Sequence, residues 1–157
     1  MHIEAAKANN IFEEALKSGV ISEFASHRII QREKRIGLSR VDFFLEDTSK
    51  MKTYLEVKSV TLVVNEIAMF PDAPTRRGRK HLKELIELRK KGIDAATAFI
   101  IQRSDAKFFT PNDQEDPEFK ELLKEAFRMG VKIIAYKCMV NREEIYVTDP
   151  VPVLECY

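Results

Sequence analysis

Ile11, Phe12, Ala15 and Leu16 recur at helical spacing within a run of helix formers from Ala5 to Ser18, and Gly19 supplies a stop. A short helical turn is expected around Ser22–Ser26. Arg28 to Ile36 and Arg40 to Glu46 then read as strands, separated by the turn signal Gly37-Leu38-Ser39. After a second turn at Asp47–Lys50, Thr53 to Val64 reads as one further strand, and Asn65-Glu66 turns the chain into a short one, Ile67 to Phe70. Pro71-Asp72-Ala73-Pro74 breaks regular structure. A helix is predicted from Thr75 to Lys91, with Leu82, Leu85, Ile86 and Leu88 as its apolar stripe. Ala95 to Gln102 suits a buried strand, and Ser104 to Gln114 reads as a loop. Asp116-Pro117 signals an N-cap with proline at the first helical position, opening a helix to Met129. Val131 to Lys137 and Glu143 to Val147 close the series as strands.

Strands that first follow one another and are later linked by helices imply an α/β (α+β) fold, a mixed β-sheet flanked by helices on both faces. No linker or repeat divides the 157 residues, so a single domain over 1–157 is expected. The apolar run Ala95 to Ile101 is far too short to span a bilayer, and Met1 to Asn10 lacks the apolar core of a signal peptide. Cys138 and Cys156 have no metal or redox spacing and read as a buried thiol and a tail thiol; a cytoplasmic protein with reduced thiols is expected.

Net charge is only +1, but it is unevenly spread. Residues 28–40 hold five Lys/Arg against one Glu, and residues 76–91 hold eight against two. Residues 113–125 hold six Asp/Glu against two Lys. Such asymmetry can form a basic surface that recruits phosphates, but on charge alone solvated faces explain it better.

Leu55-Glu56-Val57-Lys58-Ser59 is the sharpest local feature. Alternation along a strand points Glu56 and Lys58 one way, and Leu55 and Val57 the other. If the neighbouring strand pairs through the 47–50 turn, Asp42 comes close to Glu56. Two buried carboxylates need compensation, which a divalent cation supplies. Lys58 would then orient or deprotonate the attacking water. For the tripeptide alone a solvent-facing strand with cross-strand ion pairs is the simpler reading. The Asp42 spacing, the flanking apolar strands and the carboxylate-bearing first helix bring the two readings level.

Asn9 to Leu16 (NNIFEEAL), Ser39 to Phe44 (SRVDFF), Tyr54 to Leu62 (YLEVKSVTL), Phe70 to Leu85 (FPDAPTRRGRKHLKEL), Ser104 to Asn112 (SDAKFFTPN) and Gly130 to Tyr136 (GVKIIAY) carry a resemblance over most of the chain. The chain resembles the SfsA (sugar fermentation stimulation protein A) family, and through it the PD-(D/E)xK nuclease superfamily. The resemblance implies a restriction-endonuclease-like fold and a Mg2+- or Mn2+-dependent deoxyribonuclease site. Asp42 and Glu56 match the metal ligands, the Val57 carbonyl a backbone ligand, and Lys58 the catalytic lysine. Glu14 matches the first-helix acid that supports the metal, with Glu13 one position out of register. Val41 replaces the superfamily's proline before the first acid. Family members resemble a two-part design with an OB-like barrel ahead of this domain, and that N-terminal domain is expected to be absent here.

Arg76, Arg79, Lys80 and Lys83 cluster in the first turns of the predicted helix, with Arg77 and His81 beside them. A helix N-terminus gains nothing from cations, so their placement suits DNA phosphates better than helix stability. His81 is read as a phosphate-binding or structural group, and His2 and His27 as surface residues. Asp113, Glu115 and Asp116 are explained by capping and solvation, and Phe108 and Phe109 by packing more readily than by base stacking. The expected partner is DNA, held by its backbone without sequence preference. A homodimer is left open, and no membrane partner is expected. The alternative to an enzyme is a non-catalytic DNA-binding regulator of sugar metabolism genes that keeps the nuclease fold.

Overall fold

The computed structural model describes residues 3–156; His2 lies outside them. The chain opens with α1 (Ile3–Lys17), whose buried Ile11, Phe12, Ala15 and Leu16 form the predicted stripe, with Ala8 buried beside them. Strands β1 (Arg28–Ile36), β2 (Ser39–Glu46) and β3 (Lys52–Val60) follow as an antiparallel meander. Helix α2 (Arg76–Lys90) leads into β6 (Asp94–Ile101), and α3 (Pro117–Arg128) into β8 (Lys132–Val140), which β9 (Ile145–Pro150) pairs antiparallel. The main sheet has the order β1-β2-β3-β6-β8-β9, with β3, β6 and β8 parallel. It is the mixed sheet expected.

Its two faces hold two cores. Under α1 lie Phe43, Leu55, Val57, Ala96, Ala98, Ile100, Ile134 and Tyr136. On the other face α2 and α3 cover Val60, Ala95, Phe99, Ile101 and Ala135. Strand β6 feeds alternate residues into both cores, as a central strand covered on each face must. Both cysteines are free and buried, so Cys156, read as a tail thiol, belongs to the core. Burial pushes Cys138 up to about 12 and Cys156 up to about 11. His27 is half-buried rather than a surface residue, with its Nδ1 enclosed and unpartnered and its ring edge-on to Phe24.

Two expectations fail. Residues 53–64 are not one strand: the chain leaves the main sheet at Thr61, and β4 (Leu62–Val64) joins a second sheet with β5 (Ile67–Phe70). The presumed loop 104–114 contains β7 (Phe108–Pro111), which pairs parallel with β5. Apolar, β-rich residues run through the 60–62 junction, so local pattern conceals the switch of sheets, and a four-residue strand needs its distant partner to exist. Phe109 is fully buried against Phe99, whereas Phe108 is 40% exposed.

Asp116 ties the two outer helices together. Its carboxylate accepts from the Phe119 amide as the N-cap of α3 and from the Thr75 amide just before α2, and it pairs with Arg79. Thr75 in turn caps α2 by accepting from the Gly78 amide at 2.9 Å. No helix among the described residues is long and apolar enough to cross a membrane.

Candidate metal centre

The β2–β3 ladder runs from Glu46↔Lys52 to Phe43↔Leu55 and stops there. The next pair in that register would be Asp42 and Glu56. Val41 and Phe43, two apart and so expected on one face, contribute to different cores, which marks a turn of β2 about its axis at Asp42. Where the ladder stops, side chains take over the freed amides. The Asp42 amide donates to Glu56 Oε1 at 3.1 Å, and the Val57 amide donates to Asp42 Oδ2 at 2.7 Å. Each carboxylate thus holds the backbone of the opposite strand beside its partner.

Helix α1 contributes Asn9, buried, whose Nδ2 donates to Asp42 Oδ1 at 3.2 Å. It does not contribute Glu14. Glu14 is exposed and lines no part of the cleft, because it lies five residues on from Asn9, about 140° round the helix. Glu13, nearer in phase, is occupied by Lys17 and Arg32. The acid inferred from resemblance is therefore replaced by an amide. The cue available in sequence was the adjacent Asn9-Asn10 pair inside an amphipathic helix, where Asn9 falls on the apolar face.

Lys58 and His81 complete the site. Glu56 Oε2 lies 3.0 Å from His81 Nδ1 and 3.4 Å from Lys58 Nζ, and the two nitrogens are 2.6 Å apart. His81 is thus a partner of Lys58 and Glu56, not a free phosphate ligand. One Nδ1 cannot donate to Glu56 while accepting from an ammonium. With Lys58 charged, the ammonium donates to the Nδ1 lone pair and still has hydrogens for Glu56 and the cleft. Burial drives Asp42 up to about 6, aided by the charge of Glu56 and opposed by the Val57 amide, Asn9 and Lys58. Burial also presses Glu56 upward, but the neighbouring Lys58 ammonium opposes it and the carboxyl stays below its ordinary value.

The carboxylates form the shared wall of a two-lobed cleft. One lobe, about 530 Å³, adds Ser59, Thr61, Leu62, Met69 and Phe70. The other, about 660 Å³, adds Leu38, Arg40, Arg76 and Lys80, and Arg77 lines both. The basic helix is therefore divided. Arg76, Arg77 and Lys80 face the cleft and, among the described residues, enter no ion pair. Arg79 pairs with Asp116 and Glu118, and Lys83 lies 3.9 Å from Glu118, so these two face α3.

Among the described residues no three His, Cys, Asp or Glu side chains converge as a ligand set. The available donors are the Asp42 and Glu56 carboxylates and the Val57 carbonyl, which in an extended strand leaves on the same edge as the Val57 amide that meets Asp42. Two carboxylates and a carbonyl beside an open cleft fit Mg2+ or Mn2+, hard ions that use few protein ligands and keep the rest for water and phosphate.

Sheet order, flanking helices and a carboxylate–lysine cluster at a strand divergence define a mixed α/β protein with its site at the end of a ladder. The chain belongs to the SfsA family: the model of the sugar fermentation stimulation protein RE domain matches residues 6–144. A sugar fermentation stimulation protein homolog from Caldanaerobacter subterraneus subsp. tengcongensis is 45% identical over 97% of this chain, and one from Clostridium kluyveri 46% identical over 98%. The chain spans 66% of the length of each. The structure of Pyrococcus furiosus SfsA in complex with Ca2+ superposes with a TM-score of 0.89 at 36% identity, over 94% of this chain and 64% of that one.

Proposed function

We propose that this chain is a Mg2+- or Mn2+-dependent phosphodiesterase that acts on DNA without sequence preference. The observation that carries the reading is the crossed pair Asp42–Glu56, buried side by side with Lys58 at the wall of a cleft. The far lobe of that cleft presents Arg76, Arg77 and Lys80, unpaired among the described residues. This is the arrangement expected of the PD-(D/E)xK nucleases. The family member from Pyrococcus furiosus, described in complex with Ca2+, supports a divalent cation in this fold.

Asp42, Glu56 and the Val57 carbonyl would hold the cation, which when bound polarises a phosphoryl oxygen. Asn9 fixes the Asp42 carboxylate from α1. His81 and Glu56 hold the Lys58 amine at the cleft wall, where its remaining hydrogen orients water toward phosphorus. Arg76, Arg77 and Lys80 take the neighbouring phosphates, so affinity falls steeply with salt.

The experiment is incubation of labelled DNA with Mg2+ or Mn2+, an EDTA control, and the Lys58→Ala variant alongside. The expected result is cation-dependent cleavage that Lys58→Ala reduces by about 10²-fold or more. One observation favours a second reading. Glu56 already has the Lys58 ammonium as a charge partner, so the site is partly compensated without a cation, as suits a DNA-binding regulator. DNA bound but left intact by the parent under every cation would select that reading.

A further inference from the structure

Strands β1 and β2 form a hairpin whose tip is the two-residue turn Gly37-Leu38, closed by the pair Ile36↔Ser39. The turn needs Gly37, at φ 57°, because a hairpin of this length requires a positive φ at its first central residue. It makes no demand for leucine next. Leu38 is nevertheless 99% exposed, far above any other large apolar side chain among the described residues. It packs on nothing, so the fold does not explain it.

Arg35 and Arg40 are exposed and stand directly opposite each other one step below the tip. Like charges in that relation destabilise a sheet. Among the described residues neither enters an ion pair. The tip is also continuous with the candidate site, since Leu38 and Arg40 line the same lobe as Asp42, Glu56, Arg76 and Lys80. An apolar point just beyond two arginines without ion pairs, on the rim of a lobe where Arg40, Arg76, Arg77 and Lys80 outnumber the one outlying acid Glu33, is complementary to stacked bases between two phosphate strands.

We infer that Leu38 is a wedge that inserts between neighbouring base pairs of duplex nucleic acid, with Arg35 and Arg40 on the flanking phosphates, and opens the helix beside the carboxylate site. This rests on the DNA reading above. Exposed leucine is among the side chains that unstack a base step in this way, and the bend so produced brings more backbone onto the protein. A lipid surface would need a larger apolar face than one leucine, and a second copy would set arginine against arginine.

The test uses the full chain in EDTA, so that cleavage does not enter, and short duplexes carrying 2-aminopurine at successive positions. The parent should raise 2-aminopurine fluorescence on binding. Leu38→Ala should lose that rise and bind the duplex about ten-fold more weakly. It should keep the parent's salt slope, and lose little affinity for a duplex that already contains a two-nucleotide unpaired loop. Arg40→Ala should instead flatten the slope by about one unit, the share of a single phosphate. Equal fluorescence and affinity for parent and Leu38→Ala would overturn the wedge and leave the DNA reading intact. A parent dimer in sedimentation that Leu38→Ala dissolves would assign the leucine to a second copy. A parent that binds no duplex even at low salt would overturn both readings.

Discussion

Asp42 has a carboxyl raised to about 6 against an ordinary 3.8, by burial first and the Glu56 charge second. A raised carboxyl favours folding in its protonated form, so its charge opposes folding above about pH 6. That penalty, roughly 1.4 kcal/mol per pKa unit, is relieved as pH falls from about 6 toward 3.8. Glu56 runs the other way: it is lowered, and the stability it contributes at neutral pH is lost as pH drops through its folded value. Asp42→Asn isolates the first effect. Its oxygen can still accept from the Val57 amide, and Asn9 can flip its own amide to accept from the new nitrogen. The cation-free variant should be at least as stable as the parent at pH 7, and its urea midpoint should lack the parent's Asp42-linked gain between pH 7 and pH 5. A variant clearly less stable at pH 7 would show that the charged Asp42 holds the strands together.

Helix α2 has two faces, one turned to α3 and one to the cleft. Asp116 caps α3, accepts from Thr75 and pairs with Arg79, so it joins the starts of both outer helices. Asp116→Ala should lower stability by about 2 kcal/mol, the upper end for removal of a cap, and shift the urea midpoint without changing its slope. Arg79→Ala should move stability in the same direction and leave the salt dependence of DNA binding alone. The cleft-facing trio should behave inversely. Changing Arg76, Arg77 and Lys80 to Ala should leave stability within about 0.5 kcal/mol and flatten the salt slope by about one unit for each phosphate no longer neutralised. Equal salt slopes for the triple variant and the parent would make this face an ordinary solvated one. The residues in the first turns are basic on every side, so composition could not divide them; the partners offered by α3 do.

At the scale of the whole molecule, the proposed cation is the ligand to test. An ion that binds only the folded chain stabilises it by mass action, about 2.7 kcal/mol at one hundred times its dissociation constant. For a chain of this size that is a rise in Tm of roughly 5–10 °C. Mn2+ should produce such a rise in the parent and none in Asp42→Asn. Lys58→Ala should keep it, because the lysine is not among the proposed metal donors. Calorimetric titration of the three proteins reads this directly. No heat from the parent at millimolar ion would remove the metal centre and leave a binding fold.

Local chemistry alone was enough to specify helices α1, α2 and α3, the meander β1–β3, the buried β6, and the same-face placement of Glu56 and Lys58. Each depends on a period of 2 or 3.6, a cap or a glycine stop, all of which act within a few residues. The switch from β3 to β4 and the existence of β7 depend on partners far along the chain, and only the tertiary structure decided them. So too for the site. Glu14 and Asn9 are both polar residues of one helix, and which meets Asp42 depends on how Phe12 and Leu16 seat α1 on the sheet. His81 stands 23 residues from Lys58, and it becomes a 2.6 Å neighbour only because α2 packs over β6, the strand beside β3. A sequence states which faces are apolar; the packing of those faces settles which polar groups are left pointing at one another.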